Sequence, residues 1–181
     1  MIAQTCLVYL LQFKNAYISI TYPDGQPFCK ALPLICYAAE NWLDHAKAAN
    51  VEEGNTLKRL SEQLFMDWDA FLKWVEVIDI DEEEGSHPLP LYYAALSGLN
   101  HILALLLHNG VNVNDQGGFY GNALQAASSS GHRDVVELLL SNGADVNAQG
   151  GEYGNVLQAA LCSDHRDVVE LLLSNGADVN A

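Results

Sequence analysis

Six histidines, four cysteines and a set of glycine-rich turns are the parts from which this sequence could assemble a reactive centre. The histidines stand at His45, His87, His101, His108, His132 and His165. His101 and His108 are spaced to share one face of a helix, but no carboxylate or cysteine beside them completes a metal-ligand set. Asp164, His165 and Asp167 resemble the base half of a catalytic dyad, a device that needs a nucleophile within hydrogen-bond reach, and none stands at a fixed offset. Cys162 offers a thiol, but the expected role is that of a small residue lining a helix surface. The text Gly150-Gly151-Glu152-Tyr153-Gly154 has glycines that could approach a phosphate, but no lysine follows, and Gly-x-x-x-x-Gly-Lys-Ser/Thr occurs nowhere. No catalytic residue, metal site, cofactor or small-molecule substrate is expected from these parts.

Charge narrows the remaining classes. The 181 residues carry 23 Asp and Glu against 8 Lys and Arg, a formal net charge of -15. Such a field repels phosphate backbones and acidic membrane surfaces, so direct binding of nucleic acid or membrane is not expected. Half of the residues are hydrophobic and 17% are charged, a balance that supports a packed core. No apolar run approaches the roughly 20 residues that span a bilayer. The start, MIAQTCLVYLLQFK, lacks a basic residue ahead of its apolar stretch and fits a helix rather than a signal peptide. Cys6, Cys29, Cys36 and Cys162 form no CxxC pair and no dense framework, which predicts reduced thiols in a cytoplasmic or nuclear protein.

The elements that must position these residues fall into two kinds. Apolar periodicity predicts helices over 2–13, 32–49, 55–67 and 69–78, a small N-terminal helical domain spanning 1–84. Trp42, Trp68 and Trp74 all lie within it and are expected in its core. Tyr22-Pro23-Asp24-Gly25 predicts a turn, and the acidic run from Asp79 to Glu84 a solvated loop. Beyond it the chain repeats. Gly118 to Gly150 reads GFYGNALQAASSSGHRDVVELLLSNGADVNAQG, and Gly151 to Ala181 is nearly the same text. A more divergent copy precedes them, giving repeats over 85–117, 118–150 and 151–181. The columns Gly110, Gly143, Gly176 and Asn114, Asn147, Asn180 hold a register of 33 residues. Within each copy a short, small-residue helix (122–129, 155–162) precedes a longer one (133–141, 166–174), and turn-rich hairpin-like fingers link the copies. A unit of this length cannot bury its apolar face alone, so copies must stack. The fold class expected is an all-α repeat solenoid preceded by the helical domain. Ala181 ends the sequence with no polar capping repeat, and the last helix is expected to open first.

The string NALQAASSSGHRDVVELLLSNGADVNA, from Asn122, resembles the ankyrin repeat, and the resemblance covers Pro88 to Ala181. Leu124, Ala127, Gly131, His132, Val135, Val136, Leu139, Gly143, Ala144, Asp145, Val146 and Asn147 fall on family positions. Departures are instructive. Asn122-Ala123-Leu124-Gln125 stands where the family has Thr-Pro-Leu-His, so amides must replace the usual hydroxyl-to-imidazole bond. Tyr153 occupies a finger position where glycine is usual, and Asp164 replaces the glycine of the helix turn, tolerable because aspartate enters the left-handed region more readily than most residues. The resemblance gives His132 and His165 a structural role, orienting backbone. The finger text NAQGGxYGNALQAAS, with CLVYLLQF, YAAENWLDHAK and FLKWVEVIDID, looks like the region downstream of the NTPase module in fungal NACHT-ankyrin proteins. Those proteins are signal-transducing P-loop NTPases, and what carries over is a helical spacer with a recognition array.

The resemblance implies a non-catalytic protein-binding scaffold whose contacts lie on finger tips and on the exposed face of each first helix. In this sequence those positions are Tyr93, Leu96, Ser97, Gly118, Phe119, Ala126, Ser129, Ser130, Glu152, Cys162 and Ser163. The two best copies differ at Phe119/Glu152 and Ser129/Cys162 while agreeing through VVELLLSNGADVN, the pattern expected if contact residues vary over a fixed frame. Phe119, Glu152 and Tyr93 are expected to line one concave face. Two roles remain open at this point: a fragment or stand-alone relative of a fungal signalling protein, or an adaptor that regulates transcription or a metabolic pathway.

Overall fold

The computed structural model describes residues 2–13, 33–47, 51–78 and 89–180. The chain forms two compact units, Met1–Gly85 and Ser86–Ala181. All regular structure among the described residues is helical apart from two isolated bridges. The expected turn at 22–25, the acidic loop at 79–84 and His87 lie outside the described residues.

The first unit contains α1 (Ile2–Phe13), α2 (Pro33–Lys47), α3 (Val51–Met66) and α4 (Trp68–Ile78). Each buries a stripe at helical spacing: Ala3, Leu7 and Leu10 in α1, Ala38, Ala39 and Trp42 in α2, Leu57, Leu60 and Leu64 in α3, Phe71, Trp74 and Val75 in α4. Asp67 breaks α3 from α4 and caps the latter, accepting from the Ala70 amide at 3.2 Å. Trp74 sits in the middle, 5.4 Å from Phe65, 5.8 Å from Phe71 and 6.0 Å from Trp42 between ring centroids. Its indole N–H donates to the Ala39 carbonyl at 3.0 Å. The expectation that all three tryptophans are core fails for Trp68, which is 51% exposed and stacks on Phe71. As the first residue of α4 it has no preceding helical turn to cover its ring. Reduced thiols were expected throughout; Cys6 and Cys162 are free, but Cys36 is disulfide-bonded. The absence of a CxxC pair says nothing about cysteines that folding brings together.

The second unit is a stack of helix pairs: α5 (Pro90–Leu96) with α6 (Asn100–His108), α7 (Ala123–Ser129) with α8 (Arg133–Ser141), and α9 (Val156–Cys162) with α10 (Arg166–Ser174). The short helices form one layer, α7 between α5 and α9, and the longer ones a second, α8 between α6 and α10. Alanine makes the first layer thin: Ala94, Ala95, Ala126, Ala127, Ala159 and Ala160 are all fully buried. Leu103, Val136 and Leu139 fill the space between layers.

Polar ladders fix the spacing of the stack. Asn114 donates to the Gly143 carbonyl at 3.1 Å and accepts from the Asp145 amide at 2.8 Å. Asn147 repeats both bonds one unit later, to Gly176 at 3.2 Å and from Asp178 at 2.8 Å. The carbonyls of Leu96 and Ser129 can only accept, so the Nε2 atoms of His132 and His165 donate to them, at 3.1 and 3.0 Å. That is the backbone-orienting role the family resemblance implied. Asn147→Ala removes a donor and an acceptor together and should cost about 1–2 kcal/mol, read as a lower urea midpoint. An unchanged midpoint would show that water replaces both bonds without loss.

Candidate functional site: the finger edge of the repeat stack

Each finger is a hairpin closed by glycines. Gly117 donates to the Gly121 carbonyl at 2.8 Å and Gly150 to Gly154 at 2.8 Å, with bridges between Gln116 and Asn122 and between Gln149 and Asn155. The finger then hands over to a capped helix. Asn122 accepts from the Gln125 amide at 2.9 Å, and Asn155 from Gln158 at 2.8 Å. The fully buried Gln125 side chain donates to the Gly150 carbonyl at 2.8 Å, tying one short helix to the next finger. The Asn122 and Gln125 side chains each bond backbone rather than one another, so no side-chain pair replaces the hydroxyl-to-imidazole bond of the family. Asp164 holds a left-handed backbone at φ 57° in the helix turn, as its replacement of glycine required.

The tips of adjacent fingers touch. The Glu152 amide donates to the Phe119 carbonyl at 3.0 Å, so these two residues stand side by side as their shared repeat position implied. Phe119 is 51% exposed and Glu152 is exposed. Behind them the Tyr120 ring is perpendicular to Phe119 at 5.1 Å and stacked on Tyr153 at 5.9 Å. The Tyr120 amide donates to the Tyr92 hydroxyl at 3.3 Å, which seats the tip on the preceding helix.

The other candidate contact residues are placed differently. Tyr93, expected on the same face as Phe119, is buried edge-on to Tyr92, because α5 is buried from Leu91 through Ala95. Ser129 and Ala126 are buried too, since α7 is buried along its whole length, and the Ser129 hydroxyl meets that of Ser163 at 3.3 Å. Leu96, Ser97, Gly118, Ser130 and Ser163 are half-buried, and Cys162 is exposed at the end of α9. The short-helix face is therefore narrower than expected, and the exposed candidates concentrate on the fingers and α9. Tyr153 was placed on a finger by its departure from glycine, but neither it nor Tyr120, which shares its column of the repeat, was expected to support the tip.

A family model described as ankyrin repeats matches residues 46–150 and 91–181, with three copies. The chain belongs to the ankyrin-repeat family. No curated protein matches it. The ankyrin match identifies the chain as carrying a protein-protein interaction module. The first matched span begins upstream of Pro88.

The residues considered for chemistry are dispersed. His45 bonds the Tyr37 hydroxyl in α2, His101 and His108 lie on α6, and His132 and His165 are committed to carbonyls. Among the described residues no three His, Cys, Asp or Glu side chains group as a metal site. Burial pushes the Cys6 thiol up from its ordinary pKa, which holds it in the less nucleophilic protonated form. No helix among the described residues is long and apolar enough to cross a membrane.

Proposed function

We propose that this chain is a non-catalytic recognition scaffold that holds a protein partner along the finger edge, with Phe119 as the main anchor and Glu152 beside it. The observation that carries the reading is the half-exposed Phe119 ring on a tip locked by Gly117, Tyr120 and Glu152. A rigid aromatic loses little entropy on binding and excludes water well, which is why such residues dominate interfaces. Membership of a fungal NACHT-ankyrin signalling system is supported by the sequence resemblance across both units, and in that setting the stack would be the sensor.

The full chain, immobilised, would be used to capture a partner, and affinity measured for wild type and Phe119→Ala. Truncating an anchor should cost about 2 kcal/mol or more of binding while the melting curve is unchanged. Unchanged affinity with unchanged melting sinks the assignment, and a lowered melting temperature shows that Phe119 supports the fold instead.

A further inference from the structure

We infer that the finger edge selects a cationic side chain, specifically the guanidinium of an arginine on the partner, held between Phe119 and Glu152. This inference rests on the protein-binding reading above and names the chemistry of the partner. Three observations converge on it. First, Phe119 and Glu152 are both exposed, and the 3.0 Å bond from the Glu152 amide to the Phe119 carbonyl joins their backbones, so an aromatic and an acidic side chain spring from neighbouring points on the tips. A purely apolar partner covering Phe119 would strip water from Glu152 without compensating its charge, which is unfavourable. A cation satisfies both groups at once.

Second, the second unit has nothing of its own to supply that cation. Apart from histidine, its basic residues are Arg133 and Arg166, and these pair with Glu137 at 3.8 Å and Asp164 at 3.4 Å. Among the described residues no cation pairs with Glu152. The surrounding charge, from Asp115, Asp145 and Asp178 along the finger bases and from the net -15 of the chain, attracts a basic segment and repels an acidic one. Third, the aromatic half of the site is preorganised. Tyr120, perpendicular to Phe119 and stacked on Tyr153, fixes the ring behind the tip, so binding orders little that is not already ordered. Arginine fits better than lysine because a planar guanidinium lies flat on an aromatic face while its edge donates to a carboxylate.

The probes are two acetylated, amidated peptides of the same length, one bearing a single arginine among glycines and serines, the other bearing citrulline, its neutral isostere. They are titrated at low salt into the isotopically labelled full chain. The arginine peptide should shift the amide resonances of Phe119, Tyr120 and Glu152 and bind at least about fivefold more tightly than the citrulline peptide. Phe119→Leu, which keeps apolar area but loses the π face, and Glu152→Gln should each weaken the arginine peptide about threefold and leave the citrulline peptide unchanged. Equal binding of both peptides, no binding of either, or arginine binding indifferent to both substitutions overturns the inference. A captured protein partner that depends on Phe119 but is insensitive to Glu152→Gln and to salt also overturns it, while leaving the protein-binding reading intact.

Discussion

Gly151→Ala should destabilise the repeat stack by roughly 3–5 kcal/mol, the sum of two separate penalties. Gly151 has φ +67°, a left-handed conformation in which an alanine is strained. More severely, a Cβ at this position would lie 2.1 Å from the Tyr120 carbonyl oxygen and 2.6 Å from the Gly121 nitrogen. Both are backbone atoms of the neighbouring finger, so no rotamer change relieves the clash. The chain must separate the two tips, and separation breaks the bond from Glu152 to Phe119 and the stacking of Tyr120 on Tyr153. Gly143→Ala is the control. Gly143 has a similar φ of +87° but nothing within 4 Å of its would-be Cβ, so it carries the strain without the clash and should cost about 1–2 kcal/mol. Urea unfolding of both variants tests the difference. Equal losses would show that backbone strain alone sets the cost and that the fingers do not meet as described.

Much of the second unit was legible because its periodicity is redundant: each position is written two or three times. The bounds of α8 and α10 follow from RDVVELLLS closed by Asn-Gly, and the structure places both at Arg133–Ser141 and Arg166–Ser174. The amide substitution at Asn122 and Gln125, the backbone role of His132 and the left-handed Asp164 were each readable as local departures from a known pattern. What stayed hidden depends on where a repeat sits in the stack, which its own letters do not record. Ser129 and Cys162 occupy the same column, yet Ser129 is buried and Cys162 exposed. Tyr93 and Phe119 are both aromatic and both seemed free, but only Phe119 rides on a tip beyond the helices. The column of Asn114 and Asn147 was visible as register; its role as a two-bond ladder depends on a neighbouring repeat 29 to 31 residues further along the chain. In the first unit no repeat supplies that redundancy, and the exposure of Trp68 was not foreseeable from a stripe of aromatics.

Trp74→Ala should have an effect of similar size in the first unit, at about 3–5 kcal/mol. Trp74 is 2% exposed and touches ring partners from three helices: Trp42 in α2, Phe65 in α3 and Phe71 in its own α4. Truncation opens a cavity bordered by rings that cannot collapse into it without dragging their helices. It also leaves the Ala39 carbonyl without the donor that reaches it from Trp74 at 3.0 Å. The two contributions separate with Trp74→Phe, which keeps most of the ring contact and removes the N–H; it should cost about 0.5–1.5 kcal/mol. Trp42 provides the contrast, since its own indole nitrogen has no hydrogen-bond partner among the described residues and phenylalanine there gives up no bond. Trp42→Phe should therefore be the milder of the two ring replacements. Near-ultraviolet circular dichroism during urea unfolding follows these tryptophan environments directly, and the expected order of midpoints is Trp42→Phe, then Trp74→Phe, then Trp74→Ala. A Trp74→Phe variant as stable as wild type would remove the indole-to-carbonyl bond from the account and leave packing as the whole reason for tryptophan at this position.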